Sequence, residues 1–142
     1  MAAVSTPILQ QPVLPVDRQG TLRLVEHLCA VGYLPERADR LFLFSAIEMA
    51  RYAKVSLDQL LTDKDHQAVQ LRWVCFHALH KQGIHWEAIA GRFNKSKDMV
   101  RVGAREVGKA LRQPALFPQV ATWHRQLTES ITQYSAPAPT NG

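Results

Sequence analysis

The chain has 142 residues, 46% of them hydrophobic and 20% charged, with a formal net charge of +5. That size fits one domain with a real core, and the balance is that of a globular chain, not a disordered one. No apolar run approaches the roughly 18 residues needed to cross a bilayer. The opening MAAVSTPILQQPVLP has neither the basic start nor the apolar stretch of a secretory signal, so the expectation is a cytoplasmic protein without a membrane partner.

In chain order, residues 1–20 read as a flexible tail, broken by Pro7, Pro12 and Pro15. From Thr21 a helical period begins, with Leu22, Val25, Leu28 and Cys29 on one face, and Gly32 with Leu34–Pro35 stops it. Glu36 to Phe44 reads as a turn or two of helix. Ser45 and Glu48 have capping-box spacing, with Phe44 placed to staple onto Met49, so a new helix is expected to start there. Ser56 with Gln59 repeats that signature, with Val55 and Leu60 as the staple, before a short helix Leu57–Leu61. Residues 67–82 predict a longer helix with Val69, Trp73, Phe76, Ala78 and Leu79 inward, ended by Gly83. Two more helices follow over Trp86–Phe93 and Lys97–Leu111. Pro114 and Pro118 then break the chain before a last helix carrying Val120, Trp123, Leu127, Ile131 and Tyr134 on one stripe. The end from residue 135, SAPAPTNG, has the composition of a disordered tail. Nothing reads as a strand, so the fold class is all-α: one compact multi-helix domain over residues 21–134.

The charge is concentrated. Residues 71–112 hold nine of the bases against Glu87, Asp98 and Glu106, whereas the rest of the chain is near balance. A local positive field on an otherwise neutral chain points to a polyanion. Cys29 and Cys75 lack metal-site spacing and read as buried free thiols. Cys75, His77, His80 and His85 cluster in sequence but match no zinc pattern, so neither a metal nor another cofactor is expected. With no carboxylate pair, nucleophile–base set or phosphate loop in the sequence, the chain does not read as an enzyme.

Residues 86–112 fill the positions that constrain a helix-turn-helix. Ile89 is the buried aliphatic, Ala90 the small residue where the helices pack closely, and Phe93 the closing contact. Asn94 is the best non-glycine choice for a left-handed turn residue, Ser96 can cap the second helix, and Val100 anchors it. At about 100° per residue, Val100, Ala104, Val107 and Leu111 fall within roughly 60°, while Asp98, Arg101, Arg105, Lys109 and Arg112 occupy roughly 80° nearly opposite. One helix thus has an apolar back and a basic front. The major groove of duplex DNA accepts one such helix, read from its N-terminal half. That geometry puts Ser96, Lys97, Asp98, Arg101, Val102 and Arg105 toward the bases, and Lys95, Lys109 and Arg112 toward phosphates. Gly103 stands where a second core aliphatic is usual, which predicts a thinner core there.

From Ile47 to Leu111 the sequence resembles the C-terminal DNA-binding domain of the bacterial replication initiator DnaA. The matching pieces are AIEMARYAKVSLDQLLT, LRWVCFHALHKQG and HWEAIAGRF, followed by a basic helix. The resemblance implies a helical domain that binds duplex sites through the helix-turn-helix, with the loop near residues 62–67 beside the minor groove and Lys64 as its phosphate contact. Two stretches depart from the family. Lys95-Ser96-Lys97-Asp98-Met99-Val100 replaces a basic-Asp-His-Thr-Thr-Val run, and the loop, normally arginine-rich, is TDKDHQ. No phosphate-binding glycine loop is present, so the family's ATPase activity is not implied. The stretch IAGRFNKSKDMVRVGAREVGKALR equally resembles the promoter-reading helix-turn-helix of sigma factors. The expectation is therefore a sequence-specific double-stranded DNA-binding, nucleoid-associated regulator of a bacterium or phage, acting at promoter or origin sites. The alternative is a helix-turn-helix that docks to RNA polymerase or a replication protein. The N-terminal helix and the Trp123 stripe are available for a homodimer in either case.

Overall fold

The computed structural model describes residues 14–135, which form seven helices and no strand. The helices are α1 (Arg18–Ala30), α2 (Arg37–Ala53), α3 (Leu57–Thr62), α4 (His66–Lys81), α5 (Trp86–Phe93), α6 (Lys97–Leu111) and α7 (Pro118–Ser135). The all-α expectation holds. Most of the expected N-terminal tail, and the C-terminal one from residue 136, lie outside the described residues.

Local chemistry sets most of the helix ends. Asp17 caps α1 by accepting from the Gly20 N–H at 2.9 Å, so the helix begins before the expected Thr21. Ser56 and Gln59 form the expected reciprocal box, at 3.0 and 2.9 Å. Asp65 accepts from the Ala68 N–H at 3.2 Å, so α4 starts at His66 and the preceding loop is only Asp63–Asp65. α2 ends on Lys54, a non-glycine residue in the left-handed region (φ 61°).

The expected helix start at Ser45 is wrong. α2 runs unbroken from Arg37 to Ala53, its first turn tied by Glu36 N–H donating to Asp39 Oδ2 at 3.1 Å. Ser45 and Glu48 lie in mid-helix and are buried, as are Phe44 and Met49. A Ser three residues before a Glu is a cap only at a helix end; within a helix the same spacing puts both side chains on one face. Here that face is the core. Thr21 Oγ1 donates to Glu48 Oε2 at 2.7 Å, and Ser130 Oγ donates to Oε1 at 2.9 Å. Arg51 makes a two-pronged pair through Nε and Nη2, at 3.0 and 2.9 Å. That pair holds the Arg51 guanidinium above its usual range. Arg18 Nε stands 3.7 Å from Oε1, and Arg18 Nη2 donates to Tyr52 at 2.9 Å. One buried carboxylate thus joins α1, α2 and α7.

α4 is the central helix, packed against α2, α3, α5, α6 and α7. It is buried around most of its girth by Ala68, Leu71, Val74, Cys75, Phe76, Ala78 and Leu79, while Val69 and Trp73, expected inside, are half-buried. Phe93 of α5 meets Phe42 and Phe76 edge-on, each at 4.9 Å between centroids, an arrangement favoured by the ring quadrupoles. Val120, Trp123, Leu127 and Ile131 of α7 are buried against the core, so the stripe expected to be available for a homodimer is already used by the fold, and Tyr134 stacks on Phe44 at 4.7 Å. Cys75 is buried, and burial pushes its thiol well above the usual cysteine range, which keeps it protonated; Cys29 is only half-buried.

Candidate nucleic-acid interface

α5 and α6 are joined by Asn94, Lys95 and Ser96. Asn94 adopts the left-handed conformation expected of it (φ 57°, ψ 47°), and the Lys95 N–H returns to Ala90 O at 3.0 Å. Ser96 caps α6 by accepting from the Met99 N–H at 3.1 Å. Ile89, Ala90 and Phe93 are buried from α5, and Val100, Gly103, Ala104, Val107 and Ala110 from α6. The helix pair is therefore fixed to the core by its inner faces, which sets the direction of its outer one.

Gly103 is not a gap. A Cβ at that position would collide with the Trp73 indole, which packs directly on the α6 backbone. The half-buried Trp73 occupies the space left by the missing aliphatic, and glycine is what lets it approach.

The outer face of α6 carries Lys97, Asp98, Arg101, Val102, Arg105, Lys109 and Arg112, all exposed, and Ser96 is exposed at its start. Met99 and Val102 add apolar surface, at 56% and 46% exposure. The acids on this helix are weakly engaged or peripheral: Asp98 stands 4.0 Å from Arg101, and Glu106 pairs with Lys109 at 3.2 Å. Two of the nine bases behind the charge excess have other work. Arg72 is buried and donates to Leu60 O at 2.8 Å, and burial lowers it from the usual arginine range. Arg92 bonds Asp39 Oδ1 at 3.0 Å and Glu36 Oε1 at 2.8 Å, tying α5 to the start of α2. Removing these two from the surface field leaves it still centred on α6.

The residues expected at phosphates separate into three places. Lys95 is half-buried and lines a recess with Leu61, Thr62 and Phe93, so the loop holding exposed Lys64 leaves α3 beside the turn. Lys109 lies toward Gln70, Trp73 and Phe117 on one flank of α6. Arg112 lies on the other flank, in a groove it shares with Arg101, Arg105, Trp86 and His77. Sequence reasoning missed this groove. It joins α4, α5 and α6 through tertiary packing, and no local period connects residues 77, 86 and 112.

Behind the groove, His77 Nδ1 and His124 Nε2 are 2.9 Å apart, with the rings edge-on. Burial, then His77 and Lys81, push His124 down to about 4, and burial, then Lys81 and His80, lower His77. Both rings are therefore neutral at pH 7. His80 stacks on Trp86 at 3.5 Å and 13°. Within the sequence cluster of Cys75, His77, His80 and His85, His77 and His80 thus have separate partners, and no group of three metal-ligating side chains stands together among the described residues. None of the described helices is long and apolar enough to cross a membrane.

Comparisons with protein-family models, with curated proteins and with solved structures find no match to this chain.

Proposed function

We propose that the protein is a sequence-specific binder of double-stranded DNA, with α6 in the major groove and the α5–α6 pair as its helix-turn-helix. The observation that carries this reading is the one-sided outer face of α6. Exposed cations line it, and its core side is locked by Val100, Gly103, Ala104 and Val107. A 15-residue helix is about 22 Å long, enough to follow the groove for half a turn of duplex or more. Base edges are met by its first two turns, where Lys97 can donate to guanine, Asp98 can accept from cytosine N4, and Val102 can touch a thymine methyl. Ser96 is exposed beside them with its oxygen accepting once, from Met99, so its hydroxyl hydrogen and second lone pair are left for DNA. Lys95 and Lys64 serve backbone phosphates at the near end and Lys109 at the far end. No cofactor and no catalysis belong to this reading. The biological role that fits is DnaA-like, in a bacterium or phage, a regulator acting at promoter or origin sites.

A second reading, docking to RNA polymerase or a replication protein, draws on Leu116 and Phe117, exposed at 69% and 44% in the turn before α7. Selection from a random duplex library separates the two. Duplex recognition predicts an enriched motif for the wild type and a changed preference at one position for Asp98→Ala. Recovery of random sequence by the wild type would refute sequence-specific reading and favour docking.

A further inference from the structure

Within the DNA-binding reading, we propose that the groove between α6 and the α4–α5 pair is a phosphodiester site. In it, one strand of the bound duplex lies over Gly108 and is gripped by Arg101, Arg105 and Arg112. This regroups the basic face. Arg101 and Arg105, placed toward bases by helix rotation alone, join Arg112 on the backbone, and base reading falls to Lys97, Asp98 and Val102.

Two independent features support it. The first is charge: three arginines line one groove, and no Asp or Glu is among its lining residues. Among the described residues Arg105 and Arg112 have no ion pair, and the Arg101 contact with Asp98 is stretched to 4.0 Å. Clustered cations without a counter-charge repel one another unless an anion joins them, and the planar guanidinium fork matches a phosphate. The opposite wall adds no charge of its own. Trp86 is held by its stack on His80, and His77 by its bond to His124.

The second feature is Gly108. Glycine in a helix interior weakens the helix and normally has a local reason. At Gly103 that reason is the Trp73 ring. At Gly108 a Cβ would meet nothing within 4 Å, and its backbone is not in the left-handed region. Neither packing nor conformation asks for glycine there. Its Cα lies on the groove with Ala104 one turn earlier, so an added methyl would project into the space a strand must occupy. Gly91 of α5 has equally open surroundings, so what singles out Gly108 is its place on the arginine-lined groove, where a glycine allows close approach of a ligand to the backbone.

The test is fluorescence anisotropy of the full chain on a labelled duplex across a salt series, with thermal melts of each variant. Gly108→Ala is expected to melt higher than the wild type yet bind the duplex several-fold more weakly, a combination that loss of fold cannot produce. Arg112→Ala is expected to reduce the log–log salt slope by about 0.9, one phosphate contact, while leaving the selected motif unchanged. If the wild type shows salt-dependent duplex binding that both variants reproduce, the groove assignment is overturned and the DNA reading stands. A wild type that binds no duplex overturns both. Inorganic phosphate displacing the duplex at low millimolar concentration would overturn the strand assignment in favour of a free-phosphate site.

Discussion

Two groups of arginines in this protein have opposite surroundings. Arg18, Arg51, Arg72 and Arg92 bond within the fold, to a Tyr52 hydroxyl, the Glu48 carboxylate, the Leu60 carbonyl, and the acids that open α2. Arg101, Arg105 and Arg112 stand on α6 with no strong partner among the described residues. The first group is part of the architecture, and its charge is neutralised or satisfied locally. The second group leaves a field. Counting basic residues along the sequence merges the two; only the partners distinguish a cation that holds the fold from one available to a ligand.

The largest effect expected from breaking the first group is at Glu48. Glu48→Ala leaves Arg51, Arg18, Thr21 and Ser130 around an empty buried site, a loss of about 3–5 kcal/mol in a urea melt, typical of a broken buried pair. Duplex affinity of the fraction that stays folded should not change, because α6 does not touch this network. If Glu48→Ala were neutral, the distinction between structural and free charge would lose its main support.

The histidine pair gives the next effect, through pH. His124 is depressed to about 4 in the folded protein from the ordinary histidine value of 6.5. The unfolded chain therefore binds the extra proton first as pH falls, and stability drops between about pH 6.5 and 4, then levels. Discounted for the partial exposure of the ring, the loss at full development is about 1–2 kcal/mol. Urea melts of the wild type and His124→Gln at pH 7 and pH 4.5 should converge at the lower pH if the pair is responsible; parallel curves would argue against it.

The two α6 glycines sharpen the comparison at smaller scale and with opposite signs. Gly103→Ala forces Trp73 to move and should cost about 1–3 kcal/mol, as overpacked sites do. Gly108→Ala meets open space and should add up to about 1 kcal/mol of helix stability. Thermal melts of the two variants check both signs together.

The α5–α6 pair was legible because its signals are local. Asn94 before a helix start, Ser96 two residues later, and the apolar spacing of Ile89, Phe93 and Val100 gave α5 and α6 their observed bounds. Two other features were not legible, for different reasons. Ser45 and Glu48 misled because a cap and an inward-facing helical pair share one spacing, and only the Thr21, Arg51 and Ser130 partners decide between them. The fit of Trp73 onto Gly103, and the groove joining His77 and Trp86 to the arginines, depend on how α4 crosses α6. That crossing is a property of the packed core and has no period in the chain.

The most direct test of the central claim is the salt dependence of duplex binding by the unmodified protein. With a handful of phosphate contacts and a slope near −0.9 for each, log affinity against log salt should fall with a slope of roughly −4 to −6. A slope near zero, or no measurable binding at low salt, would contradict it and leave the basic face of α6 without the partner proposed for it.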